Sequence, residues 1–206
     1  MFIVFEGGDG VGKSTQAERL ATWLAQNGHE VVRTFEPGDT RAGAIMRGIV
    51  LDPSTGDLAP WAEALLYAAD KAQHVHETVR PALARGAVVV CDRYVDSMLA
   101  YQGAGRTLPL ERVEQVAAWA TDGLVPDLTI LLDLDPKQGV GSLAALDRVE
   151  AAGDDFHARV RAGFLELAGR APQRYLVLPA RWPVERIAEA VRTRVAAALS
   201  DPARSM

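Results

Sequence analysis

The chain has little that would staple it, anchor it or draw it to a polyanion. Cys91 is its single cysteine, so no internal disulfide can form and the fold must rest on its core. No apolar run approaches the roughly 20 residues of a membrane span, and the chain enters an apolar strand at once, without a basic leader. The expectation is a soluble, cytoplasmic protein with no membrane partner. Basic charge is also short: 22 Lys and Arg stand against 27 Asp and Glu, a net charge of −5. That argues against nucleic acid as a partner, and it makes any local gathering of basic residues stand out. Internal repeats and low-complexity stretches are missing. At 206 residues the chain suffices for a single domain with a substantial core and is short for two.

Phosphate chemistry is written at the start. Phe2-Ile-Val-Phe5 reads as a buried strand, Gly7 to Ser14 fits G-x-x-x-x-G-K-[ST], and a helical pattern free of Pro and Gly runs to about Gln26. Strand, loop and helix in that order make a phosphate site out of what would otherwise be a Gly-rich turn. The backbone N–H groups of Gly8, Asp9, Gly10, Val11 and Gly12, with Lys13, Ser14 and Thr15 at the helix start, would cradle the polyphosphate of ATP. Lys13 reaches the β- and γ-oxygens, and the Ser14 hydroxyl can ligate a bridging Mg²⁺.

Four more apolar runs alternate with helical patterns: Glu30–Glu36, Ala87–Cys91, Leu128–Leu134 and Tyr175–Leu178. Helices are expected at about Thr40–Leu51, Trp61–Arg85 with Pro81 as a kink or restart, Leu108–Asp122, from Glu150 to about Ala168, and from Val184 on. Within Trp61–Arg85 the apolar stripe is Leu65, Leu66, Ala69, Ala72, Val75, Val79 and Leu83. Short strands alternating with helices predict an α/β fold, a five-stranded parallel sheet with helices on both faces. Ligands of such sheets sit beyond the carboxyl ends of the strands, which gathers the loop after Glu6, the Glu36-Pro37 turn, Asp92-Arg93 and the segment after Asp133 around one crevice.

A phosphate loop alone does not separate hydrolases, switches and kinases. The guanine-reading Asn-Lys-x-Asp is absent, and the third strand ends in a lone Asp92, suited to hold Mg²⁺ through water, and not in paired acids. Arg93 follows directly, placed to clamp a second phosphate, that of an acceptor.

At this point the chain resembles thymidylate kinases, P-loop nucleoside monophosphate kinases, over essentially its whole length. The matching pieces are Glu6-Gly-Gly-Asp-Gly-Val-Gly-Lys-Ser-Thr-Gln16, Glu36-Pro-Gly-Asp-Thr40, Leu65-Leu-Tyr-Ala-Ala-Asp-Lys-Ala-Gln-His74, Arg80-Pro-Ala-Leu83, Asp92-Arg-Tyr94, Ala100-Tyr-Gln-Gly-Ala-Gly-Arg106, Pro126-Asp-Leu-Thr129 and Asp147-Arg-Val-Glu150. Phe156-His-Ala-Arg-Val-Arg-Ala-Gly-Phe164 is shared with actinobacterial members. The resemblance implies transfer of the γ-phosphoryl of MgATP to dTMP by a homodimer. Arg93 and Arg47 would hold the dTMP phosphate beside Glu36 and Pro37. Tyr67 would stack on thymine, Lys71 would stand where the family generally has an Arg on thymine O4, and Gln102 and Ser97 would contact base and sugar. Tyr101 would crowd the 2′ position, and Asp9 would contact the acceptor's 3′-hydroxyl or the metal, beside Ser14 and Asp92. A lid is implied at about 136–150. Between Pro136 and Asp147 it has Lys137 and no Arg, leaving Arg148 as the arginine to close over ATP. Lys71 in place of Arg leaves open a kinase for another deoxynucleoside monophosphate, and the arginine-poor lid leaves open a catalytically weak nucleotide-binding homologue. Cys91, His29, His74, His76 and His157 read as uninvolved, and Trp61, Trp119 and Trp182 as packing anchors.

Overall fold

The computed structural model describes residues 1–135 and 147–200. The expected lid at about 136–150 therefore lies outside the described residues, apart from Asp147 to Glu150. Five parallel strands form one sheet in the order β2-β3-β1-β4-β5. They are β1 (Phe2–Gly7), β2 (Val31–Phe35), β3 (Val88–Asp92), β4 (Leu128–Asp133) and β5 (Tyr175–Pro179). Each is followed or preceded by helices, as a parallel sheet requires: α1 (Lys13–Gln26), α2 (Arg41–Leu51), α3 (Pro60–His74), α4 (Arg80–Ala84), α5 (Val95–Met98), α6 (Leu110–Thr121), α7 (Asp154–Arg170) and α8 (Val184–Leu199).

The alternation of side chains along the strands decides what each layer buries. Ile3 and Phe5 of β1, Val88 and Val90 of β3, and Leu128, Ile130 and Leu132 of β4 pack on Leu20 and Leu24 of α1 and Val191 of α8. Phe2, Val4, Val89 and Cys91 point the other way, onto Val75, Val79 and Ala82 of the α3–α4 run. A third cluster joins Leu131 to Met98, Tyr101, Val113, Phe156 and Phe164, under α5, α6 and α7. Each such side chain contributes about 1.5–3 kcal/mol by leaving water, and Cys91 belongs among them as a small core residue.

The run from Trp61 is helical as expected, with a wide π-helical turn over Val75–Val79 between α3 and α4, and the expected restart at Pro81 falls in the first turn of α4. Val95–Gly105 is helical as well, as α5 and a π-helical stretch Leu99–Gly105. That stretch was hidden by its glycines, which serve close packing here: a Cβ on Gly105 would meet the Phe156 ring at 2.6 Å.

The apolar stripe read on the long helix also differs from the buried face. Leu65 is 52% exposed, whereas Glu63, Asp70, Lys71 and His74 are buried. Helix α3 turns its polar side inward because, as described next, it forms one wall of a site.

Candidate active site

The phosphate loop is shaped by its neighbours. Gly7 closes β1 at φ 133°, and a Cβ there would lie 2.4 Å from the Leu132 carbonyl oxygen of β4, so no larger residue fits. The loop then turns through Gly12, the N-cap of α1, and Lys13 begins the helix with its side chain folded back so that Nζ donates to the Gly8 carbonyl at 2.5 Å. Burial, with Arg93 beside it, pushes the Lys13 ammonium down to about 8 against the opposing pull of Asp9, Asp92 and Glu6. Ser14 Oγ donates to Asp92 Oδ2 at 2.5 Å, joining the start of α1 to the end of β3. Lys13, Ser14 and Asp92 floor a cavity of about 440 Å³ that Arg33, Asp39 and Arg47 also line.

Arg93 sits at φ 69°, a left-handed backbone that costs a non-glycine residue about 1 kcal/mol or more. The twist turns its guanidinium back over the phosphate loop. Nη1 donates to the Gly7 carbonyl at 3.0 Å and to Ser97 Oγ at 3.1 Å, and Nη2 donates to Asp9 Oδ1. Tyr101 Oη donates to the other Asp9 oxygen at 2.9 Å. Burial alone would raise the Asp9 carboxyl, but Arg93 and Lys13 beside it outweigh that and hold it at about 2. Below them Glu6 is fully buried, accepting from Tyr94 N, Ser97 N and Ser97 Oγ; burial, with the Asp96 charge, raises it to about 7.

A second cavity of about 100 Å³ opens on the other side of Arg93. Glu36, Pro37, Arg47, Tyr67, Lys71, Arg93, Ser97, Tyr101 and Gln102 all line it, together with Asp9, Asp147 and Val149. The sequence-derived acceptor set thus comes together from the β2–α2 turn, α2, α3, the β3–α5 link, α5 and the Leu99–Gly105 stretch. Its hydrogen bonds are more committed than the sequence suggested. Lys71 Nζ donates to Glu36 Oε2 at 2.5 Å, both side chains being buried. Ser97 spends its hydroxyl proton on Glu6, and Gln102 spends an amide N–H on Glu63 Oε1 at 2.9 Å. Of the three residues expected at the metal, Ser14 and Asp92 meet, while both oxygens of Asp9 face Arg93 and Tyr101.

Arg148 is turned toward the acceptor side. Its Nε donates to the Val50 carbonyl at 3.0 Å, Nη2 donates to Glu63, and its backbone N–H donates to the Leu51 carbonyl. No contact with the phosphate loop is among these bonds.

Some members of the site escaped the sequence reading. His74, expected to be uninvolved, is fully buried, with Nδ1 2.6 Å from Glu36 Oε1 and Nε2 2.5 Å from Thr34 Oγ1. Thr34 Oγ1 in turn donates to Asp39 Oδ2 at 2.5 Å. The chain Lys71–Glu36–His74–Thr34–Asp39 therefore links the two cavities through the interior. No local signal could have revealed it, because α3 and β2 supply alternate members about 40 residues apart. Glu63, gripped by Gln102, Arg106 and Arg148, was missed for the same reason.

A family model described as Thymidylate kinase matches residues 5–191. The chain belongs to the thymidylate kinase family. Among curated thymidylate kinases, that of Cutibacterium acnes is 59% identical over 200 residues, covering 97% of this chain and 98% of the relative. That of Clavibacter michiganensis subsp. michiganensis is 54% identical over 204 residues, covering 97% and 96%. The crystal structure of thymidylate kinase from Ehrlichia chaffeensis superposes with a TM-score of 0.80 at 29% identity, over 95% of this chain and 98% of that one. The thymidylate kinase fold is a five-stranded parallel α/β sheet here, as read from the sequence.

Proposed function

We propose that the chain transfers the γ-phosphoryl group of MgATP to dTMP, giving ADP and dTDP, in a single domain. The observation that supports this most is the junction of the two cavities: Asp9, Glu36, Arg47 and Arg93 border both. A donor held over Lys13 and an acceptor held against Tyr67 would meet at Arg93 and Arg47. An oxygen of the acceptor phosphate attacks the γ-phosphorus as the bond to the β-phosphoryl oxygen breaks. The attacking oxygen is already anionic, so positioning and charge neutralisation suffice and no general base is needed.

In the proposed assignment, Gly8, Asp9, Gly10, Val11, Gly12, Lys13, Ser14 and Thr15 bind ATP. The acceptor is bound by Glu36, Pro37, Arg47, Tyr67, Lys71, Arg93, Ser97, Tyr101 and Gln102. Ser14 and Asp92 suit Mg²⁺, since both offer hard oxygen donors at one spot and the described residues contain no cluster of three or more metal-ligating side chains. A cation that keeps its waters and leans on phosphates needs no more than that. A Mg²⁺ held there by Ser14 and Asp92 would supply charge neutralisation to the phosphates. Asp9 is assigned to holding Arg93 and Tyr101 in register, and through them the acceptor.

We also propose a homodimer. Helix α2 packs on α3 and α3 on α6, and their exposed sides present Ile45, Ile49, Leu65 and Trp119, the last 84% exposed. Trp119 is thus no anchor within the chain, in contrast to Trp61 and Trp182, which pack against cores. Among the described residues no helix is long and apolar enough to cross a membrane.

The test is steady-state turnover with MgATP across dTMP, dUMP, dCMP and dGMP. The expected result is the highest kcat/KM for dTMP. Equal or higher kcat/KM for another acceptor would reassign the substrate, and no turnover with any would reduce the chain to a nucleotide binder.

A further inference from the structure

One cation on the wall of the larger cavity has no partner among the described residues. In the parallel register of β2 and β3, Arg33 pairs with Val90 and Phe35 with Asp92, and in-register partners share a face of the sheet. Val90 packs in the layer of α1 and α8, so Arg33 and Phe35 project on the side where α1 presents Lys13 and Ser14. Arg33 accordingly lines the 440 Å³ cavity with Lys13, Ser14, Asp92 and Arg93.

The other arginines around the crevice are committed. Arg93 is held by Asp9, Gly7 and Ser97, and Arg47 Nη1 by the Pro37 carbonyl at 2.8 Å. Arg148 is held by Glu63 and Val50, Arg159 by the Gly105 carbonyl and Arg161 by Asp133. Arg33 has no hydrogen bond or ion pair among the described residues. Nor do the carboxylates of the cavity wall claim it. Asp9 is taken by Arg93 and Tyr101, Asp39 by Thr34 and Asp92 by Ser14.

A guanidinium with no partner among the described residues, on the wall of a cavity that Lys13, Ser14 and Arg93 also line, is open to an oxyanion such as a phosphoryl group, which it can hold through two N–H groups. The need is chemical as well: the phosphate loop offers Lys13 as its side-chain cation, and 136–146 contains Lys137 and no arginine. We propose that Arg33 is a phosphoryl-binding residue of the transfer site, donating its guanidinium N–H groups to non-bridging oxygens of the group that passes between the two cavities. The proposal rests on the kinase reading above and adds to it a residue from the edge strand.

The experiment compares wild type, Arg33→Ala, Arg33→Lys and, as a charge-matched control, the exposed Arg41→Ala outside both cavities. Turnover with MgATP and dTMP is measured beside calorimetric affinities for dTMP and for thymidine, which lacks the phosphate. Arg33→Ala is expected to lower kcat/KM at least about tenfold, less than the roughly 10²-fold of a fully preorganised donor because Arg33 is exposed. Arg33→Lys should recover part of it, and Arg41→Ala should match wild type. Because Arg33 is exposed on β2, its thermal midpoint should stay within about 2 °C, as for an ordinary surface change. A dTMP affinity that falls while thymidine affinity holds would assign Arg33 to the acceptor phosphate; a fall in kcat with both affinities kept would assign it to the phosphoryl in flight. Arg33→Ala within twofold of wild type in turnover and in dTMP affinity overturns the proposal alone. A wild type that transfers nothing to dTMP overturns the kinase reading, and this proposal with it.

Discussion

Lys13 begins α1 with its ammonium folded onto the loop that it serves, and its burial is an expense that a bound polyphosphate relieves. Removing it in Lys13→Ala should lower kcat by about 10²-fold or more while leaving the thermal midpoint close to wild type; near-normal kcat in a folded variant would remove the donor site from this loop. The pH dependence follows from the same burial. With the ammonium pushed down to about 8 in the free enzyme, the charged form that binds phosphate is present below that pH and is lost above it. Affinity for a non-hydrolysable MgATP analogue, measured by calorimetry, should therefore weaken as pH rises past about 8, toward tenfold per unit. A flat profile from pH 7 to 9.5 would mean that Lys13 keeps its proton. Tyr101 needs two variants, because its ring packs edge-on against Phe156 and Phe164 at 6.0 and 6.1 Å while its hydroxyl holds Asp9. Tyr101→Ala should narrow the preference for dTMP over its ribonucleotide and lower the thermal midpoint, since a buried aromatic is worth about 3–5 kcal/mol. Tyr101→Phe keeps the ring and should keep the preference. If the two variants have the same kcat/KM ratio, something other than the ring reads the 2′ position.

The elements show where a single sequence is legible. The central strands β1, β3 and β4 were visible as apolar runs because a strand buried on both faces has no polar alternation to confuse it, the half-exposed edge strands β2 and β5 were visible by their β-branched and aromatic residues between turns, and the phosphate loop was visible because backbone geometry demands its glycines. Helix α3 was misread at its surface: its inward positions hold Glu63, Lys71 and His74, whose partners Arg106, Glu36 and Thr34 come from other elements. A polar residue whose complement is 40 positions away looks like a solvated one. Arg148, read from the sequence as the arginine that closes over ATP, here fastens residues 147–149 to the ends of α2 and α3. Asp147 and Val149 line the acceptor cavity, so this clasp bears on dTMP. Arg148→Ala should raise KM for dTMP about tenfold, about the loss of one buried charge-assisted contact, and Glu63→Gln should reproduce part of the effect. A loss confined to kcat in Arg148→Ala, with dTMP affinity untouched, would return the residue to the donor side.

For the molecule as a whole, the exposed apolar side chains of α2, α3 and α6 predict association of two copies. Sedimentation should give a dimer for wild type, and the pair Leu65→Glu with Trp119→Glu should shift it to monomer; a monomeric wild type at micromolar concentration would leave these residues without that role. The topology also sets an order of events in synthesis. The phosphate loop follows directly on β1, yet β1 is the middle of the sheet, and its partners β3 and β4 lie 87 and 125 positions later in the pairing register, Phe2 facing Val89 and Ile3 facing Leu128. Gly7 is pressed into shape by the Leu132 carbonyl. The residues proposed to bind ATP are thus made well before the strands that shape them into a site. A released fragment ending at Asp127 should bind no fluorescent ATP analogue, although it contains every residue of the loop. During synthesis, the nucleotide can act as a folding ligand only once β4 has been translated.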